Sequence, residues 1–285
     1  MSGTLTIAAY ALRESTRRRV FVVVLILTVA FLALYAVGTE AAFDSIDAEA
    51  AGAALNVDDQ VLTGSTLLGL AMFTTLFLGC VLAVFLTFGA VRGDAERGIL
   101  QPLVVRPLGR TALLGGRFAA AAGVCAVYVT TVYAAATVIT GVAGGWWPAD
   151  PVSPGVALVT GVILIAALSL LGSIFLSATA NGIAVFMAFG AGLAAGLLGQ
   201  IGDALNVNTL ENVARVASWA LPFEALYQGG LDSLTSDVGG TTAVIVQLGP
   251  FGGAQESGPL LWVWSAAYLV LLAVAARMAF ARRDL

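Results

Sequence analysis

Six stretches of the chain stay apolar long enough to cross the hydrocarbon core of a bilayer, which takes about 20 helical residues. They lie near residues 20–38, 66–91, 118–140, 156–178, 182–202 and 259–276, and the core of each holds no Asp, Glu, Lys or Arg. That pattern predicts an all-α fold: a polytopic membrane protein of six transmembrane helices, with residues 1–285 forming one transmembrane domain. The chain is 59% hydrophobic and 11% charged, whereas a soluble domain is nearer ~25% charged. Water is therefore not its main solvent.

Arginine sets the expected orientation. All thirteen basic residues are arginine, and histidine is absent. Arg13, Arg17, Arg18 and Arg19 precede the first run, Arg92, Arg97, Arg106, Arg110 and Arg117 separate the second from the third, and Arg277, Arg282 and Arg283 follow the sixth. Six spans put these three segments on one side, and basic residues mark the cytoplasm. Both termini and residues 92–117 are thus expected on the cytoplasmic side of a prokaryotic cell membrane, and the external loops at 39–65 and 203–258. Ahead of the first span, Leu5, Ala8, Ala9 and Leu12 recur at helical spacing and are followed by Arg13, Glu14 and Arg17. This reads as a short amphipathic helix on the cytoplasmic leaflet, with Leu5, Leu12, Arg13 and Arg17 at the interface. The apolar run from Val20 is longer than the core of a cleaved signal peptide, so it reads as an uncleaved anchor.

Two features of the second half bear on packing. "ENVARVASWALPFEAL" sets Val213, Val216, Ala217, Ala220 and Leu221 against Glu211, Arg215 and Ser218 on opposite helical faces. Arg215, Pro222 and Glu224 would be costly in lipid, and a seventh span would put Arg282 and Arg283 outside. The segment is therefore expected to be an outer-face helix, interfacial or re-entrant, followed by Gly-rich loop with at most one short strand. In the fifth run Gly192, Gly196 and Gly199 have the small-residue spacing that lets helices approach closely, either within the chain or between subunits.

The missing chemistry narrows the function. A phosphate-binding Walker A loop needs a lysine, and the chain has none. Without histidine there is no Ser/His/Asp or Cys/His arrangement. Cys80 and Cys125 lie within apolar runs and suggest neither a disulfide framework nor a metal site. No catalytic residue, cofactor or metal is expected in this chain, and no nucleic-acid partner. The span cores also lack the ionisable residues that ion-coupled transporters usually keep.

One cytoplasmic segment stands out. "RGDAERGILQPLVVRPLGRTALLGGRF", residues 92–118, mixes seven charges with Ile99, Leu100, Leu103, Val104 and Val105, and is broken by Pro102 and Pro107. Burying seven charges would cost about 20 kcal/mol, so the segment must stay out of the bilayer. Its mixture of groups suits either a docking surface for a soluble protein or a stiff connector whose arginines bind lipid phosphates.

The residues Glu96, Arg97, Gly98, Ile99, Leu100, Pro107, Arg110, Leu113, Leu114, Gly115 and Arg117 resemble the segment that follows the second span in permeases of type 2 ATP-binding-cassette exporters. The amphipathic "RESTRRR" start, the six spans, the outer helical region and the "FARRDL" end are also similar to that family. Ile99 stands where Thr is common, Gly116 is additional, and the first external loop is larger than in many members. The resemblance implies a pathway formed by two permease chains, as a homodimer or heterodimer within membrane lipids. It also implies two separate ATPase subunits, which bind ATP and Mg and dock below. The coupling contacts would be Asp94, Glu96, Arg97, Gly98, Pro107 and Arg110, with the turn from Ser177 to Gly182 as a second contact. The alternative is a subunit of the same architecture that anchors or transmits motion to an extracytoplasmic partner without moving a solute. A membrane enzyme is the third reading, and the lack of His and Lys speaks against it.

Overall fold

The computed structural model describes residues 19–49, 59–87, 110–234 and 258–282. Within them the regular elements are helices: α1 (Arg19–Glu49), α2 (Asp59–Thr87), α3 (Arg110–Gly144), α4 (Val152–Phe175), α5 (Ala178–Leu205), α6 (Asn208–Ala220), α7 (Pro222–Leu234) and α8 (Pro259–Ala281). Six of these, α1 to α5 and α8, are long and apolar enough to cross a membrane. In hydrocarbon a helix is the element that satisfies its own backbone, and each apolar run has become one. The protein is a multi-pass, all-helical membrane protein. Residues 39–49, read from the sequence as the start of a loop, continue α1. The leading 1–18 segment with Leu5, Leu12, Arg13 and Arg17, and the Gly-rich stretch 235–257, lie outside the described residues.

α4 is the hub. It packs against α2, α3, α5, α7 and α8. α2 and α4 are the most buried spans, while α1 and α8 are the least. Small residues make the close crossings. At Gly79 an added Cβ would sit 2.8 Å from Val162 Cγ2 and 3.2 Å from Val129 Cγ2, so α2 touches α3 and α4 at one point where a side chain would hold them apart. α1 is tied to α3 by hydroxyl pairs, Thr28 with Tyr128 and Tyr35 with Thr140, both at 2.6 Å.

The two ends of the bundle differ. At one end Gln60 of α2 donates a hydrogen bond to the Gly144 carbonyl, and Gly145 turns the chain at φ 64°, a left-handed conformation that favours glycine. The Asp150 carboxylate then accepts the N–H groups of Val152 and Ser153 at 2.9 and 3.1 Å, satisfying donors that the first turn of α4 leaves open. At the opposite end, Leu114 of α3, Leu170 and Ile174 of α4, and Ala276 and Phe280 of α8 form a separate apolar cluster.

Between α5 and α8 the chain makes a helical hairpin at the Gly145 end. Asn206, in the left-handed region at φ 53°, turns α5 into α6. α6 runs back along α5, with Glu211 against Gly202 and Ala214 against Gly199. After Leu221 the chain reverses into α7, whose first aromatic residue, Phe223, reaches Gly192 of α5 and Gly161 of α4. Gly192 lies thirteen residues before the end of α5, which is about 20 Å at 1.5 Å per residue. The hairpin therefore enters the bundle to about half the length of α5 and returns. It is re-entrant rather than interfacial.

Candidate functional site

The glycine track of α5 builds the site. Phe223 stacks on Phe189 with ring centroids 5.5 Å apart and 12° between planes, and a Cβ at Gly192 would come within 2.6 Å of its Cζ. One turn on, the Gly196 position is occupied by the Glu224 carboxylate and the Gln228 amide. At Gly199 the neighbour is Ala214 Cβ, 3.0 Å from where a side chain would begin. Of the two uses the sequence left open for this track, the structure shows the one within the chain: these glycines seat the hairpin.

Behind the glycines lies a polar cavity of about 240 Å³, lined by Gly196, Gly199, Glu211, Ala214, Arg215, Ser218, Glu224, Ala225 and Gln228. Glu224 is 5% exposed and Gln228 4%. The Gln228 amide donates to Glu224 Oε1, the hydrogen bond the structure gives that carboxyl. α7 is not one of the spanning helices. Burial there pushes the Glu224 carboxyl up to about 8, and the Gln228 bond offsets this in part. Glu211 and Arg215 face the same cavity from α6, one helical turn apart.

The sequence reading missed this carboxyl. The span cores are free of Asp, Glu, Lys and Arg, but the re-entrant helix carries Glu224 to their depth, where such residues mark functional sites by default. Its sequence signal was read as a reason to keep the segment out of lipid. On α6, Val213 and Val216 are 50% and 71% exposed, while Ala214 and Glu211 face α5 and Leu221, just after it, packs against the core.

The residues expected to couple to an ATPase fall mostly outside the described set. Asp94, Glu96, Arg97, Gly98 and Pro107 do so entirely, and Arg110 is described only as the first residue of α3. The second expected contact is described. α4 ends at Phe175 and α5 begins at Ala178, and Phe175 and Leu176 are 49% and 37% exposed. Asn181, just after this turn, ties α5 to α4 by donating to the Ser169 carbonyl at 2.9 Å. An apolar cleft of about 200 Å³ opens at the same end between α3, α4 and α8, with Leu114, Phe118, Leu170, Leu272 and Arg277 in its lining. Cys80 and Cys125 are both free and buried. Among the described residues no group of three or more His, Cys, Asp or Glu side chains is placed to hold a metal.

Six spans, with a hairpin between the fifth and sixth and a polar cavity beside it, define a polytopic membrane protein. The ABC-2 family transporter protein profile matches residues 5–285, and the chain belongs to that family. It is accordingly the permease subunit of an ATP-binding-cassette transporter, a membrane subunit that works with ATPase subunits of that class. No curated protein matches the sequence.

Proposed function

We propose that two copies of this permease, or this chain and a homologous one, form the pathway of an ATP-driven exporter powered by two separate ATPase subunits. The observation that carries the reading is the distribution of arginine in space. Arg19, Arg110, Arg117, Arg277 and Arg282 belong to helix ends at one face of the bundle, and Arg215 alone among the described arginines belongs to the hairpin at the other. The positive-inside rule makes the first face cytoplasmic. The 92–117 segment, residues 1–18 and the α4–α5 turn would then share that face, where soluble ATPases would dock. The hairpin closes the outer half of the pathway. The resemblance of residues 92–118 to the exporter permeases supports the outward direction. Glu96 and Arg97 are the charged docking contacts, and Pro107 and Arg110 set the turn behind them. The energy comes from ATP and Mg held by the partner, since this chain lacks the phosphate-binding lysine.

The test is biochemical. The purified chain is expected to show no ATP hydrolysis above background, and hydrolysis is expected once its ATPase subunit is co-expressed and co-purified. Turnover by the isolated chain, free of contaminants, would sink the reading.

A further inference from the structure

We propose that the cavity between α5, α6 and α7 binds an ammonium group of the transported molecule, with Glu224 as its counter-charge. The proposal rests on the export reading and names the chemistry of its substrate.

The cavity's charges are unequal. Glu211 and Arg215 carry opposite signs one turn apart on α6 and line the same space, so they balance formally. Glu224 has no such partner. Its carboxyl receives the Gln228 amide, and no ion pair joins it to Arg215 among the described residues. A buried carboxylate without a cation is costly; it either stays protonated or receives a positive charge. The surrounding helices supply none near it. α4 contains no titratable residue, α5 only Asp203, and α2 only Asp59 and Cys80; α8 contributes Tyr268 and Arg277, and α7 itself Tyr227 and Asp232. Arg277 belongs to the opposite end, in the lining of the other cleft. Among the described residues nothing is placed to pair with a charged Glu224, so its counter-charge would come from a ligand.

Size and neighbours narrow the ligand further. A volume of about 240 Å³ is below the ~300–1,000 Å³ of sites that enclose a drug-sized molecule, so the cavity takes a headgroup and leaves the remainder outside. Leu197, Ile201, Val213, Val216 and Trp219 are exposed on the same two helices, α5 and α6, but are not part of the lining, so the apolar remainder of an amphiphile would lie outside the cavity. Arg215 gives the cavity a second use: a phosphate next to the ammonium would meet it. The ammonium can thus belong to a free amphiphilic amine or to a zwitterionic lipid headgroup.

Choline and its neutral carbon isostere, 3,3-dimethylbutan-1-ol, separate charge from shape. Binding of each to the full-length purified permease, in nanodiscs and with its ATPase where the two co-purify, is measured by ligand-observed NMR. Choline is expected to bind at least about tenfold more tightly than the alcohol, a difference of about 1.4 kcal/mol. Glu224→Gln is expected to remove that preference. Choline does not titrate, so its affinity reports the carboxyl. It is expected to rise between pH 6 and pH 9 in the native chain, as Glu224 loses its proton, and to stay flat in Glu224→Gln. If Glu224→Gln does not assemble, Ser218→Arg, which adds a cation on the half-exposed wall, is expected to abolish choline binding. Glycerophosphocholine distinguishes the two sources. Tighter binding than choline, lost in Arg215→Gln, identifies a lipid headgroup; equal binding identifies a free amine. Equal binding of choline and the alcohol, or choline binding unchanged in Glu224→Gln, overturns the proposal, as does no choline binding at pH 9. The measurement needs no ATP hydrolysis, so its failure leaves the permease reading standing, and a missing ATPase leaves the cavity result standing.

Discussion

At Gly192 the chain has no room for a methyl group. A Cβ there would lie 2.6 Å from Phe223 Cζ, and that ring cannot move aside, because it is buried and stacked on Phe189. Gly190, on the same helix, would meet nothing within 4 Å. Replacing either by Ala gains about the same helix propensity, ~1 kcal/mol, so the pair isolates the collision. Overpacking a filled site typically costs about 1–3 kcal/mol. Gly192→Ala is expected to lower the thermal midpoint of the solubilised protein by several degrees relative to Gly190→Ala. Equal midpoints would mean that the bend of the hairpin is not seated on α5. The spacing of Gly192, Gly196 and Gly199 was legible as a close approach, but its partner was not, because the facing residues come from a segment whose polar groups pointed away from the bilayer.

The helices α1 and α3 are joined by hydroxyls whose direction can be assigned. Thr140 Oγ1 donates its single proton to the Ala136 carbonyl at 3.0 Å, so in the 2.6 Å pair with Tyr35 the phenol donates and Thr140 accepts. The two sides of the pair are then unequal. Tyr35→Phe removes the donor and leaves Thr140 bonded to its own helix, a loss of about 0.6–1.5 kcal/mol. Thr140→Val strands a buried phenol and is expected to cost about 1–3 kcal/mol. Thermal denaturation of both variants should rank Thr140→Val as the less stable, and the reverse order would refute the assignment. Such ties matter because hydropathy does not specify which helices meet. The existence of six spans was legible, since each apolar run must become a helix to satisfy its backbone. Their arrangement was not, because lipid tails are as apolar as leucine and a span apolar all round shows no buried face. Helix ends were only partly legible for the same reason. Hydropathy marks where lipid ends, and α1 continues beyond that through Glu40, Asp44 and Glu49. α7 was hidden behind Pro222 and Glu224, residues that read as costly in lipid until α5 supplies glycines to receive them.

For the whole molecule, the proposed export cycle would need the α4–α5 turn and the hairpin to be connected, and α4 and α5 make the described connection. Both lead from the Phe175–Ala178 turn to the helices that hold Phe223 and Glu224, so a push at the turn would reach the outer cavity through two packed helices. The proposed coupling segment, residues 92–117, was legible only as composition and resemblance, because a charged, proline-broken segment has no periodicity from which to infer a partner. Glu96 and Arg97 decide between the two uses the sequence allows it. As contacts to a docked ATPase they would form charge-assisted hydrogen bonds worth about 1.5–3 kcal/mol each. Losing both would weaken docking by about 3–6 kcal/mol, a hundredfold or more in affinity. As solvated topology markers each would be worth less than about 1 kcal/mol. Glu96→Ala combined with Arg97→Ala is therefore expected to leave membrane insertion intact and to release the ATPase or abolish its stimulated turnover. Asp58→Ala combined with Asp59→Ala serves as the control, since Asp59 opens α2 at the hairpin end, and is expected to change neither. The measurement is co-purification of the ATPase with each variant at equal permease expression. Retention of the ATPase and its turnover at native levels by the Glu96/Arg97 variant would remove these residues from the coupling surface and leave the α4–α5 turn as its charge-free alternative.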